Sequence, residues 1–400
     1  MSDVGIFSIN LHSFYLNYGA ALHSFAFQKF LESKGVSSVI VDYKSKHFGN
    51  TRLDNFALTC LKEHKSIKTI LNALFNTPSL RKKYKAFHKF YSKNCKMLDF
   101  KGKPFTYEDF NKKDFFFNFD FPIVVCESDV IWSPKTSKGF DKVFFCDSPC
   151  FKNKIKVAYS PSISNTSLNE EEKKEFLKLL NNFDYISCRE KQTADYITSI
   201  SGRKCLNVLD PVLLFDSDFY EPYMEKQNLK NYLLVYNVML NDKGMLKTAK
   251  KIAKEKHLRL VEISDFVRNK VNHKTLTGQS IGQFLWLIKN ADYFITNGFH
   301  GMCFAILFKK DFLIFERDGF DIKVKSLLDL LNISNCFVQK SKINQFKNVE
   351  FIDWENVYKN LEIQRNISKN YIKNSIIENL RGGQKYSINL KHNFGGLYAA

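Results

Sequence analysis

The chain has 400 residues, 44% hydrophobic and 25% charged, which is the composition of packed domains rather than of a disordered segment. That length exceeds what one hydrophobic core ordinarily organises, so two domains are expected. Against 41 Asp and Glu stand 60 Lys and Arg, a net charge of +19 that favours anionic partners, yet no zinc-finger spacing, RNP signature or leucine heptad marks a nucleic-acid reader.

The Lys residues are spread along the whole chain, which fits either a solvated basic surface or attraction to an anionic membrane. Nine cysteines without a repeated Cys-x-x-Cys pair give no zinc site, and Cys126 and Cys303 sit in apolar runs typical of buried thiols. No signal peptide is read at the N-terminus and no uninterrupted apolar stretch reaches membrane-span length. The most apolar region, Phe115 to Trp132, is broken by Asn118, Asp120, Pro122, Glu127 and Asp129. A reducing cytoplasm, with peripheral contact to the inner face of the cell membrane, is the expected location.

The elements begin with an apolar run, Val4 to Ile9, that predicts a buried strand. Asn17-Tyr18-Gly19 follows, and Leu22, Phe25, Ala26 and Phe30 recur at helical spacing before Gly35 ends the helix. Val39 to Val41 completes a βαβ unit, whose first loop lies at the carboxyl edge where open parallel sheets bind ligands. Residues 50–114 read as a Lys-rich helical insertion. Strands are expected at Pro122 to Cys126, Val157 to Ser160, Tyr185 to Cys188 and Asn207 to Leu209, with an amphipathic helix from Glu170 to Asn182. A second α/β set starts near Asn231: strands at Tyr232 to Met239, Leu258 to Ile263, Tyr293 to Thr296 and Phe312 to Phe315. They alternate with helices at Lys243 to Lys256, Ile281 to Asn290, through Phe308, and Val324 to Leu331. Such alternation predicts an α/β protein of two doubly wound, Rossmann-like domains facing a cleft. The expected division is 1–220, 221–342 and a polar helical tail, 343–400, folding back on the first domain.

Four stretches carry polar chemistry at predicted strand ends. Thr296-Asn297-Gly298-Phe299-His300-Gly301 ends a strand and opens a helix, whose start presents N–H groups and a positive dipole end to an anion. Gly298 and Gly301 would let the backbone approach that anion, with His300 above it as an acid or base; a histidine satisfied inside the turn is the structural alternative. Arg189, in Ser187-Cys188-Arg189-Glu190, can clamp a carboxylate or phosphate, or simply pair with Glu190. Glu127-Ser128-Asp129 can bind sugar hydroxyls with Trp132 stacking on a ring, or cap a helix beside a core Trp. Asn17 can hydrogen-bond an acceptor or cap the helix it precedes, with Tyr18 beside it.

In this order, these stretches resemble the polysaccharide pyruvyltransferase family. The resemblance rests on Asn17-Tyr18-Gly19-Ala20-Ala21-Leu22 with Gln28, Ser128-Asp129-Val130-Ile131-Trp132-Ser133-Pro134, Ile186-Ser187-Cys188-Arg189-Glu190, Val208-Leu209-Asp210-Pro211 and Phe299-His300-Gly301. It covers roughly residues 4–335 and implies a GT-B-like frame. It further implies transfer of the enolpyruvyl group of phosphoenolpyruvate to sugar hydroxyls of a lipid-linked or nucleotide-linked surface polysaccharide precursor, closing a pyruvate ketal. Carried over, His300 is the general acid, Arg189, Gly298, Phe299 and Gly301 bind the donor, and Asn17, Tyr18, Glu127, Ser128, Asp129 and Trp132 face the acceptor. No metal or organic cofactor is called for. Phe299 stands where family members can carry Arg, and Lys323 or Lys325 would replace that charge. A glycosyltransferase using a nucleotide sugar on the same frame is the alternative.

Overall fold

The computed structural model describes the chain except residues 1, 13–15, 46–55, 63–64, 100, 113–118, 138, 165–166, 239–242, 267–272, 318–320, 342–351 and 383–400. Its first half is a seven-stranded sheet. The strands are β1 (Val4–Phe7), β2 (Ser38–Val41), β4 (Met97–Leu98), β6 (Ile123–Glu127), β7 (Ile155–Tyr159), β8 (Tyr185–Cys188) and β9 (Leu206–Asn207). They run parallel in the order β4-β2-β1-β6-β7-β8-β9. Two further short strands, β3 (Tyr43–Lys44) and β5 (Phe105–Thr106), pair with each other. The second half is a six-stranded parallel sheet of β10 (Tyr232–Tyr236), β11 (Arg259–Ser264), β12 (Lys274–Thr277), β13 (Tyr293–Thr296), β14 (Phe312–Phe315) and β15 (Phe337–Val338). Its order is β12-β11-β10-β13-β14-β15. Both orders reverse direction once, between β1 and β6 and between β10 and β13. The expected pair of doubly wound, Rossmann-like halves is therefore present, and each reversal opens a crevice at the carboxyl ends of its strands.

The halves do not keep separate cores. One apolar cluster runs from Val4 and Ile6 through Leu22 and Phe25 to Phe284, Phe304 and Ile314, joining both sheets. The reason lies in helix α1 (Tyr18–Ser33), apolar on nearly every side with 13 of its 16 residues buried, so it packs between the sheets rather than on a surface. The outer faces of the two sheets have their own smaller clusters.

The region read as a helical insertion contains helices α2 (Phe56–Lys62) and α3 (Ile67–Asn94), and then returns to the sheet. Met97 pairs with Ile40, so β4 extends the edge beside β2. Residues 50–55, 63–64, 100 and 113–114 of that insertion lie outside the described residues. The predicted strand from Tyr232 stops at Tyr236, and Met239 is likewise outside them.

Of the tail, residues 352–382 are described and are helical from Trp354 on: helix Trp354–Ile372 lies on the first half and fastens to the segment after β9. Arg365, 1% exposed, donates to the carbonyls of Leu213 (2.7 Å) and Phe215 (2.6 Å) and to Asp216 (2.6 Å). The Ser368 hydroxyl accepts from Leu209 N (2.9 Å), and Tyr371 donates to the Ala158 carbonyl (2.9 Å). Among the described residues, no helix is long and apolar enough to cross a membrane.

Candidate active site

The site forms where the two crevices meet, around the carboxylate of Asp210. Asp210 follows β9 and caps the 3-10 turn at Pro211–Leu214, its Oδ1 accepting from Val212 N. Oδ2 gathers three partners: Ser128 Oγ at 3.1 Å, Arg189 Nη1 at 3.0 Å and His300 Nε2 at 3.2 Å. Residues from three separate loops of the first half and from the second half thus converge on one oxygen. Burial works to raise the Asp210 pKa, but His300 and Arg189 outweigh it and hold the carboxyl well below its usual range.

His300 begins the helix Phe299–Leu307 after β13 and is 7% exposed. Its ring rests on α1: a Cβ built on Gly19 would lie 1.9 Å from His300 Nδ1. His23, one turn further along α1, faces it with ring centroids 5.7 Å apart. Burial pushes the His300 pKa down while Asp210 and Asp129 pull it up, and the net direction is down. His23 and Glu127 form a fully buried pair, with Nδ1 2.9 and 3.0 Å from the two carboxylate oxygens. Burial opposes the charge on His23, yet Glu127 raises its pKa overall.

Arg189, after β8, is 6% exposed and lies among acids. Besides Asp210 it donates through Nε to Glu190 (3.2 Å), and Nη2 stands 3.6 Å from Asp129 Oδ1 without a hydrogen bond. Its guanidinium also covers the Phe299 ring at 4.6 Å, and Lys323 Nζ stands 5.7 Å from the centroid of that ring. Burial and the neighbouring Arg189 bring the Lys323 ammonium down to about 8. Asp129 interacts with Lys323 and Arg189, whose combined effect overrides burial and keeps its pKa low. Arg317, half-buried two residues after β14, adds a third guanidinium or ammonium charge near Asp129.

Several predicted roles require correction. Trp132 is fully buried, donates from its indole to the Phe144 carbonyl (3.0 Å) and stacks on Phe145, so it cannot meet a sugar ring. Tyr18 joins the halves: its ring stacks on Phe284 at 4.2 Å and its hydroxyl donates to the Gln279 carbonyl (2.9 Å). Glu127 and Ser128 are fully buried and turned to His23 and Asp210, leaving Asp129 as the acid of that segment facing the cleft cations. Asn17 caps α1, accepting from Gly19 N (2.8 Å). The missing Cβ atoms of Gly298 and Gly301 point at Val238 (2.7 Å) and Thr296 (2.9 Å), so these glycines admit the protein's own side chains rather than an anion. Lys325 stands over Phe337, whereas Lys323 faces the site.

Sequence reasoning placed Asp210 in a motif without giving it a site role, and missed Arg317 and His23. Arg317 shares with Arg189 the position just past a strand's carboxyl end, a signal that could have found it; His23 is indistinguishable in sequence from other helix-interior residues. Ser128 and Asp129 have φ of +53° and +55°, two consecutive left-handed non-glycine residues. Such backbone strain concentrates at functional sites.

A family model described as polysaccharide pyruvyl transferase matches residues 17–319. The chain belongs to that family. The pyruvyl transferase match opens at Asn17 and closes just after Arg317, so it includes every residue described above in the site except Lys323. Membership makes the chain a transferase of polysaccharide biosynthesis. No curated protein sequence matches significantly. Similar solved structures include a Staphylococcus aureus MnaA–UDP complex, with 11% identity and a TM-score of 0.47, covering 97% of this chain and 100% of that one. Acinetobacter baumannii MurG shares 8% identity at a TM-score of 0.43, covering 94% and 100%. UDP-GlcNAc 2-epimerase from Neisseria meningitidis, bound to UDP-GlcNAc, shares 9% at 0.43, covering 94% of each. Among the described residues, no group of three or more His, Cys, Asp or Glu side chains is placed to hold a metal ion.

Proposed function

We propose that the chain transfers the enolpyruvyl group of phosphoenolpyruvate to two hydroxyls of a sugar in a surface polysaccharide precursor, forming a cyclic pyruvate ketal. The observation that carries this reading is the meeting of His300 and Arg189 on one oxygen of Asp210, 3.2 and 3.0 Å away, beside Lys323 and Arg317. The donor has a carboxylate and a phosphate, and each needs positive charge. Arg189 Nη2, buried and without a hydrogen-bond partner, suits the carboxylate. Lys323, Arg317 and the first N–H groups of the helix at Phe299 suit the phosphate.

The chemistry follows from the electron-rich double bond of the enol phosphate. His300 delivers a proton to the methylene carbon, which becomes a methyl group and leaves the adjacent carbon cationic. One acceptor hydroxyl adds there and gives up its proton; the C–O bond to phosphate breaks, and the second hydroxyl completes the ketal. Of the two hydroxyl protons, one balances the methyl group and the other leaves with phosphate. In the free protein His300 favours its neutral form, because burial outweighs Asp210. The donor's negative charge raises its proton affinity on binding, so the acid is loaded when it is needed. Asp210 fixes the ring and balances the imidazolium. Asp129 is suited to accept a hydrogen bond from an incoming hydroxyl.

Incubation with phosphoenolpyruvate and a saccharide acceptor should release inorganic phosphate, and His300→Gln should lower that rate by about 100-fold or more. Release of nucleotide from a sugar nucleotide, without phosphate release from phosphoenolpyruvate, would instead establish the glycosyltransferase reading.

A further inference from the structure

Six of the eight large apolar side chains that stand exposed among the described residues lie on α2 and α3. On α3 they are Ile67, Leu71, Leu74 and Phe75, spaced i, i+4, i+7 and i+8 and from 54% to 78% exposed. That spacing draws one stripe along a helix, the pattern by which a helix ordinarily buries itself. Here the burying is done by another face. Ala73, Leu80, Phe87 and Tyr91 of α3 turn inward, and Ala73 meets Ala57 and Cys60 of α2. The stripe is left outside, together with Leu58 and Leu61 of α2, each 48% exposed. Between Phe56 and Asn94 nine Lys and Arg accompany a single Glu.

We infer that α2 and the first turns of α3 seat the protein on the surface of an anionic lipid bilayer, with the apolar stripe in the interface and the lysines on the headgroups. Large aliphatic and aromatic residues on one side with lysines around them are what an interfacial helix requires. A nucleic acid would use the charge but not the stripe; neutral lipid would use the stripe but not the charge. The same hairpin is tied to the catalytic site. Phe87 packs on Tyr18 with centroids 5.2 Å apart, and Lys83 stands 4.5 Å above that ring while pairing with Asp265 of the second half. Tyr18 precedes Gly19, the seat of His300. A protein held by this face therefore keeps its active site in fixed relation to the bilayer, as an acceptor carried on a lipid would demand. The last point rests on the reaction proposed above; the docking itself does not.

The test is co-sedimentation of the full chain with phosphatidylcholine vesicles and with phosphatidylcholine–phosphatidylglycerol vesicles, without donor or acceptor. Binding is expected to the anionic vesicles, and to weaken as salt is raised. The double variant Leu71→Ser with Phe75→Ser should bind them about tenfold more weakly or worse, with an unchanged circular dichroism melt. Lys62→Glu with Lys68→Glu should lose the preference for anionic lipid. No sedimentation of wild type with anionic vesicles, or equal binding by the Leu71/Phe75 variant, overturns the inference. So does a variant that binds vesicles normally but converts a dimer to a monomer in light scattering, since the stripe would then join two copies. Because no turnover is involved, vesicle binding stands or falls apart from phosphate release.

Discussion

Gly19→Ala adds one methyl group to the second residue of α1 and should disable the enzyme without unfolding it. The added carbon would stand 1.9 Å from His300 Nδ1, 2.2 Å from its Cγ and 2.6 Å from its Cε1. Ordinary carbon contacts begin near 3.5 Å, so the imidazole must retreat by roughly 1.5 Å. A displacement of that size disturbs the 3.2 Å contact of His300 with Asp210. Displacement of a catalytic group by about 1 Å costs on the order of 100-fold in rate, which sets the expected loss in kcat. Helix propensity acts the other way, since Ala in a helix is favoured over Gly by up to about 1 kcal/mol. The melting temperature should therefore change little while phosphate release collapses. Stopped-time phosphate assays on wild type and variant, with melts on the same preparations, measure both. Wild-type turnover by a folded Gly19→Ala protein would show that His300 does not work from the position described.

Asp210→Asn leaves Arg189 and His300 without their shared anion, and should cost about 3–5 kcal/mol in denaturant unfolding at neutral pH. Because the native pKa of Asp210 is depressed, that stabilisation is complete above the unfolded value of about 4. The gap between wild type and variant should accordingly close as pH falls from there toward the native pKa. Lys323, brought down to about 8, must be protonated to hold an anion, so kcat/KM for phosphoenolpyruvate should fall as pH rises through about 8. Lys323→Arg should move that alkaline limb upward, and an unmoved limb would remove Lys323 from donor binding. Trp132→Ala should destabilise the fold by about 3–5 kcal/mol, whereas Trp132→Phe should leave the KM for acceptor unchanged; a selective rise in that KM would restore a sugar-binding role.

The frame was legible because its strands are short, continuous apolar runs bounded by polar loops, as at Ile123–Glu127 and Tyr293–Thr296. The edge strands Met97–Leu98 and Lys274–Thr277 were not: the first is only two residues long, and the second, Lys-Thr-Leu-Thr, has a single large apolar side chain, so neither carries a period to read. The site was legible where a residue follows a strand end, as His300 and Arg189 do. Direction was not. Sequence cannot tell that Glu127 turns beneath the site to His23 while Asp129, two residues later, faces the cations, since that choice is made by the left-handed backbone at Ser128 and Asp129. Nor can it tell that Trp132 points into a cluster of phenylalanines, because stacking on a ring of protein and on a ring of sugar demands the same side chain.

His300 is carried by one half of the molecule and leans on a glycine of the other. A relative swing of the halves that parted α1 from the helix at Phe299 would leave the imidazole with neither its backrest nor its counter-ion. The proton transfer proposed above is then possible only in the joined arrangement, and a hinge motion admitting a bulky acceptor would have to reverse before it.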